Sequence, residues 1–400
     1  MQKYKLVCEK CGKEYGMEKI YTCPCSGRLE VFMNIDEIEV SREEVEHRKG
    51  NVVAKYFEFL PLLAKNPKTL GEGYTPLIKS ERLCEKLGLK NLYLKNETVN
   101  PTGSFKDRPI VVGANKALEF GAEVLASASS GNAATSLAAW CARFGLKCVT
   151  FVPVDAPKSK IAQLQMLGAR VYRVREREKG KDPTAEMLSI CVEKFGWHAV
   201  PSFGSFNPYQ IEGAKTIAYE VAEQIEADAV VVPVGGAGLL LGTLKGFREY
   251  KELGWIGKEP VVHAVQSEGC APLVRAWKER KEIRAWEGPK TVAGGIADPY
   301  TWDGNAALKL MYRNGGSAIA VPDALILEAQ ELLAKYAGIF AEPTGSASLA
   351  GIIALRNAGV ISKNDNVVCL VTGTGFKDLD IVISRMGEAR VIDVGEEIKI

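Results

Sequence analysis

An alternation that begins after Lys106 and runs nearly to the end of the chain constrains the fold most. Short apolar runs of strand length alternate with longer stretches of helical period. Ala122 to Ser127 reads as a strand, and Asn132 to Phe144 as an amphipathic helix with 3.6-residue spacing. Lys147 to Val152 predicts a strand, Pro157 to Leu167 a helix closed by Gly168, and Arg170 to Val174 another strand. Asp182-Pro183 then caps a helix that runs to Phe195. After residue 208 come a long helix, a strand over Ala229 to Val234, a helix from Gly238 and a strand over Val261 to Gln266. Further helices start near Asp303 and Asp323, and Asn366 to Thr372 is a last buried strand. Upstream, Asn91 to Lys95 alternates like a strand. A β-α-β-α order needs a parallel sheet covered on both faces, so the class is α/β.

At 400 residues the chain exceeds the usual size of a single core, and two or more domains are expected. A charged content of 25% and a hydrophobic content of 46% are those of a soluble globular protein. The net charge of +2 gives no reason to invoke nucleic acid or an anionic membrane. The sequence shows neither a long apolar span nor a signal-peptide pattern, so a cytoplasmic protein is expected. The Arg-Glu run from Arg173 to Lys181 reads as a solvated strand end and loop.

Four stretches at element boundaries carry chemistry. Asn100-Pro101-Thr102-Gly103-Ser104-Phe105-Lys106 is a turn that enters a helix at Asp107 and Pro109. Backbone amides and the helix dipole there disfavour an ammonium, and a neutral amine is what imine formation with an aldehyde needs. Ser129-Ser130-Gly131-Asn132 lies between a strand and a helix, an anion site by geometry. Gly235-Gly236-Ala237-Gly238-Leu239 follows the run Val230 to Val234; its glycines let several N–H groups converge on one phosphate. As a dinucleotide fingerprint it fails in spacing, because Gly242 comes one position late. Val371-Thr372-Gly373-Thr374-Gly375 ends the last strand.

Near the N-terminus, Cys8-Glu9-Lys10-Cys11 and Cys23-Pro24-Cys25 resemble the two knuckles of a zinc ribbon, four thiolates around one ion. The second pair is one residue short of the usual spacing, which strains that knuckle. A metal-free remnant or partly oxidised thiols is the alternative. Thr22 to Val31, with a Ser26-Gly27 turn, predicts a small hairpin, and residues 36–49 a charged linker helix. The other six cysteines sit in apolar surroundings and read as small buried hydrophobes.

Asn-Pro-Thr-Gly-Ser-Phe-Lys-Asp-Arg resembles the cofactor-lysine segment of the pyridoxal-phosphate (PLP) enzymes related to tryptophan synthase β, and within them most resembles the threonine synthases. Gly71-Glu72-Gly73-Tyr74-Thr75-Pro76-Leu77 matches the entry segment of that group, and the likeness runs from about Thr69 to about Asp380. It implies a fold-type-II PLP enzyme of two parallel-sheet α/β domains with an N-terminal zinc-ribbon-like extension. The boundaries expected are 1–50 for the extension, 51–100 with 201–400 for the large PLP-binding domain, and 101–200 for the small domain. By the same resemblance Lys106 carries the cofactor, and Gly235, Gly236, Ala237, Gly238 and Leu239 hold its phosphate. Asn132 contacts the ring hydroxyl and Thr372 the ring nitrogen. Ser129, Ser130 and Gly131 take the substrate carboxylate, and Glu342 lies near the ring. Cys8, Cys11, Cys23 and Cys25 would hold a structural zinc. A homodimer is usual in the family.

Three residues depart from the threonine-synthase pattern. Gln210 stands where the family has an arginine for the substrate phosphate, leaving Ser205 and Asn207 as neutral donors; Arg108 or Lys158 would have to compensate. Ser130 replaces a threonine. Leu239 replaces an asparagine, as in serine/threonine dehydratases. The implied activities are therefore phosphohomoserine plus water to threonine plus phosphate or, alternatively, β-elimination or β-replacement on serine, threonine or phosphoserine. A catalytically idle, zinc-stabilised binding protein on the same scaffold is a third reading.

Overall fold

The computed structural model describes residues 2–176 and 181–395. The middle of the Arg-Glu run, residues 177–180, lies outside the described residues. A six-stranded sheet runs in the order Ala318–Val321, Val261–Ser267, Ala229–Pro233, Asn366–Val371, Asn91–Asn96, Leu77–Lys79. Its neighbours are parallel except for the antiparallel edge strand Leu77–Lys79. Ala229–Pro233 is buried at every position, the mark of a strand covered on both faces. A second sheet, all parallel, runs Arg170–Val174, Lys147–Pro153, Val124–Ala128, His198–Ala199. The α/β class is therefore observed, with parallel pairing dominating both sheets.

The N-terminal arm is a third, antiparallel sheet in the order Glu14–Tyr15, Tyr4–Cys8, Leu29–Met33. The hairpin expected over Thr22 to Val31 does not form. Cys23 and Cys25 turn inward toward Cys8, and Leu29–Met33 pairs with Tyr4–Cys8, whose residues alternate between buried and half-buried. The linker helix expected over 36–49 shortens to Arg42–His47, started by a capping box between Ser41 and Glu44. The long helix after residue 208 is two, Tyr209–Ala214 and Thr216–Ala222.

One helix joins the parts. Asp107–Glu119 is buried from Asp107 to Ala117 and crosses Tyr209–Ala214 at close range. Only glycine permits that crossing, because a Cβ at Gly213 would lie 2.0 Å from the Arg108 carbonyl oxygen. Inside this helix Arg108 is fully buried. Its Nε and Nη2 donate to Glu97 at 2.7 and 2.9 Å, and Nη1 and Nη2 donate to Glu220 at 2.7 Å each. Lys95 Nζ donates to Glu220 at 2.6 Å. Two cations and two carboxylates thus lock the strand Asn91–Asn96 and the helix Thr216–Ala222 to the helix that begins one residue after Lys106.

Candidate active site

The loop before that helix is tied down through the Asp107 carboxylate. Thr102 donates to the Asp107 carboxylate from N at 2.8 Å and from Oγ1 at 2.6 Å, and Ser136 Oγ donates to it at 2.5 Å. Gly103 takes φ +75°, which the tight turn requires. Lys106 is consequently fixed immediately before the first helical turn. Its side chain enters a cavity of about 650 Å³ at the carboxyl ends of both parallel sheets, where α/β folds place ligands. Lys106 Nζ donates to Ser202 Oγ at 2.8 Å. Ser202 itself holds φ +73°, unusual for a side-chain-bearing residue, and its N–H donates to Gln210 Oε1 at 3.0 Å.

Burial dominates the electrostatics. It lowers the Lys106 amine from an ordinary 10.5 to about 8, against the opposing pull of Asp298, Asp303 and Glu342. The expected helix-dipole contribution is not needed to explain that shift. Burial pushes Asp298 up to about 6, although its carboxylate accepts from the N–H groups of Tyr300 at 2.9 Å and Thr301 at 3.2 Å. Burial also raises Glu342, whose Oε1 accepts from Asn132 Nδ2 at 2.9 Å. Lys377 Nζ donates to Asn132 Oδ1 at 2.9 Å, so both ends of that amide are held. An amine lowered towards neutrality and two carboxyl groups raised towards it share one cavity, the equipment for moving protons.

Of the residues expected at the site, Lys106, Ser129, Ser130, Gly131, Asn132, Gly236, Glu342 and Thr372 all line this cavity. Gly235, Ala237, Gly238 and Leu239 do not. Their loop presents Gly236 and then turns through Ala237, at φ +68°, into the helix Gly238–Glu252, whose Leu239 joins the core. Ser205 and Asn207 also lie off the wall, and Asn207 Nδ2 donates to the Ala199 carbonyl at 2.9 Å. Neither expected compensating cation reaches the cavity. Arg108 is spent on Glu97 and Glu220, and Lys158 is exposed elsewhere. Gln210 is fully buried behind Ser202, so the position has left the cavity rather than weakened it.

Sequence reasoning missed Ser202, Phe203, Asp298, Lys160 and Lys377. The Gly294-Gly295 pair with Asp298-Pro299 was a readable turn signal. Nothing local marks Ser202 or Lys160.

A family model described as pyridoxal-phosphate dependent enzyme matches residues 68–373. The chain belongs to this family. PLP is thus its cofactor, and the cavity of this PLP enzyme fits it. Thr372 Oγ1 is buried with no partner among the described residues, a hydroxyl free to meet the ring nitrogen. A Cβ at Gly236 would lie 2.6 Å from the Phe203 ring, so the glycine turn has no space for a side chain there. The chain is 40% identical to the threonine synthase of Methanocaldococcus jannaschii over 386 residues, 94% of this chain and 93% of that protein. It is 40% identical to that of Methanosarcina acetivorans over 397 residues, 98% of this chain and 96% of that protein. Among solved structures, a threonine deaminase of T.th. is similar with a TM-score of 0.64 at 28% identity, covering 75% of this chain and 92% of that one. This PLP enzyme is a threonine synthase-like member of the fold-type-II group. Among the described residues, no helix is long and apolar enough to cross a membrane.

Two substitutions probe the cofactor pocket. Thr372→Val deletes a hydroxyl that has no partner among the described residues, so unfolding stability should change by less than about 1 kcal/mol. Turnover at saturating PLP should fall about tenfold, the worth of one hydrogen bond. A thermal melt beside a kcat measurement separates the two. Gly236→Ala should weaken PLP binding at least about tenfold, because its methyl would overlap the Phe203 ring on the cavity wall. Absorbance titration of the apoenzyme reads it.

A second constellation lies in the arm. The sulfur atoms of Cys8, Cys11, Cys23 and Cys25 all fall within 4.8 Å of one another. Cys8–Cys25 is 3.5 Å, Cys11–Cys23 is 3.7 Å and Cys23–Cys25 is 3.3 Å. Four thiolates on one tetrahedral zinc stand about 3.8 Å apart, given a bond of about 2.3 Å. The short Cys-x-Cys spacing therefore does not prevent convergence. The other six cysteines are buried and free, as expected.

Proposed function

We propose that this chain is a threonine synthase, converting phosphohomoserine and water into threonine and inorganic phosphate. The observation that carries the reading is 40% identity to two threonine synthases along nearly their whole length. The cofactor supplies an electron sink for proton removal beside the amino group. Lys106, lowered to about 8, accepts a proton and returns it at the neighbouring carbons. Ser129, Ser130 and Gly131, at the start of the helix Asn132–Phe144, offer N–H groups to the substrate carboxylate. Asn132, held between Glu342 and Lys377, is pre-set for the ring hydroxyl. The neutral hydroxyl of Thr372 meets the ring nitrogen without forcing its protonation, which favours elimination and replacement over transamination. The turn Gly235 to Leu239, presented to the cavity at Gly236, receives the cofactor phosphate by its backbone.

The substrate phosphate needs a cation of its own. Lys160 lines the cavity and its amine donates no hydrogen bond among the described residues, which makes it the candidate. Lys160→Ala should raise KM for phosphohomoserine about tenfold with kcat and the PLP spectrum unchanged, the size of one charge-assisted contact. Steady-state kinetics with varied substrate test it. Residues 101–200 form the small domain in this reading, and its closure excludes water and orients the leaving group. The ribbon cysteines hold a structural zinc, and the enzyme is a cytoplasmic homodimer.

The deciding assay incubates holoenzyme with phosphohomoserine and measures phosphate and threonine together. Equimolar appearance of both supports the reading. Keto acid from serine or threonine, without phosphohomoserine turnover, moves the assignment to β-elimination, towards which Leu239 already leans. No turnover of any amino acid leaves a binding protein.

A further inference from the structure

The cysteine cluster and the cofactor cavity are joined by two residues. The turn after Cys25 wraps onto the sulfur atoms: a Cβ at Gly27 would lie 2.5 Å from Cys8 Sγ and 3.2 Å from Cys25 Sγ. Arg28 follows at once and is fastened to the other knuckle as well. Its carbonyl accepts from the Glu9 N–H at 3.0 Å, and its Nη1 donates to Glu9 Oε1 at 3.0 Å. From there Arg28 Nε donates to Asp303 Oδ1 at 2.9 Å. The Asp303 side chain is wholly buried and faces the cavity loops from behind. Its Oδ2 accepts from the Gly204 N–H at 2.8 Å, and its own N–H donates to the Gly236 carbonyl at 2.8 Å. Gly204 follows Phe203, whose ring backs Gly236, and both Phe203 and Gly236 line the cavity.

We infer that Arg28 and Asp303 are positioning residues through which metal occupancy of the Cys8, Cys11, Cys23 and Cys25 cluster sets the affinity of the glycine turn for PLP. The inference rests on the reading that this turn takes the cofactor phosphate. An ion drawing the four sulfurs together fixes the turn that aims Arg28. Without it Arg28 loses one anchor, and Asp303 becomes a buried carboxylate whose cation is no longer held in place. Asp303 then ceases to hold both sides of the phosphate turn. Ordering supplied at a metal knuckle is felt as cofactor affinity, and the coupling is reciprocal.

The test measures PLP affinity of the full-length protein by absorbance, zinc-loaded and after chelation under reducing conditions. Cobalt substitution reports cluster occupancy through its thiolate absorption. Chelation of the wild type should weaken PLP binding about tenfold, within the usual range of coupling between sites. Arg28→Ala should weaken it about as much while still binding cobalt, and chelating that variant should add less than about a further twofold. Arg28→Lys should recover part of the affinity, and Asp303→Asn should resemble Arg28→Ala. If chelation unfolds the protein, the zinc-loaded comparison of Arg28→Ala with wild type decides alone. Unchanged affinity in zinc-loaded Arg28→Ala, effects of chelation and Arg28→Ala that multiply, or failure to bind zinc or cobalt would overturn the inference. Wild-type PLP affinity in Gly236→Ala would instead overturn the phosphate-turn reading beneath it.

Discussion

Lys106→Ala is expected to abolish the cofactor-linked absorbance and to cut turnover by about 10²- to 10⁴-fold, the scale of losing a positioned acid-base group. The same substitution should make the apoprotein more stable at neutral pH. In the folded chain burial lowers this amine from 10.5 to about 8. Protonation therefore favours the unfolded state, and the penalty is fully present below pH 8. It shrinks as pH rises from 8 towards 10.5, where both states hold a neutral amine. The melting temperature of the variant should exceed that of the wild-type apoprotein at pH 7, and the gap should close near pH 10. An unchanged gap across that range would mean that Lys106 is not desolvated.

Arg108→Met should carry the largest stability cost. It leaves Glu97 and Glu220 buried with Lys95 as the sole cation near them among the described residues, at 2.6 Å from Glu220. Breaking a buried pair by removing one partner costs about 3–5 kcal/mol. Burial alone would raise Glu220, but Arg108 and Lys95 outweigh it and hold the carboxylate well below the usual range. That stability is present above about pH 4.5, the unfolded value, and is lost as pH falls. In the variant Glu220 is released upward, so acid unfolding should begin at higher pH. Denaturant melts at pH 7 and pH 5 check both statements. A cost under about 1 kcal/mol at pH 7 would show that Glu97 and Glu220 are not stranded by the loss of Arg108. The triple variant with Glu97→Gln and Glu220→Gln should recover part of the loss, because the stranded charges leave with the cation.

The elements that were legible are those whose signals are local. The helix Asn132–Phe144 ends where Gly145 takes φ +72°, and Pro183–Phe195 where Gly196 takes φ +65°; a glycine after a periodic run is readable without a structure. Arg170–Val174 and Val261–Ser267 were readable from their alternation and apolar runs. The convergence of Lys106, Asn132, Gly236 and Thr372 was implied by the family resemblance; the β-α order brings strand ends to one edge within each sheet, and Asn132 stands on a different sheet from the other three. What stayed hidden depends on partners far away in sequence. Arg108 reads as a free cation until Glu97 and Glu220 are seen beside it. Ser205 and Asn207 read as donors, but the short helix beginning at Tyr209 places them away from the cavity. Asp298 enters from a loop between distant elements. In the arm the turn at Ser26-Gly27 forms, but Leu29–Met33 pairs with Tyr4–Cys8 rather than with the residues just before the turn.

The proposed function requires one amine, that of Lys106, to carry the cofactor inside one cavity. Loading the purified protein with PLP, reducing it with borohydride and mapping the modified peptide tests this most directly. A single pyridoxyl group on Lys106 is the predicted result. Stable modification of another lysine, or none at all, would contradict it.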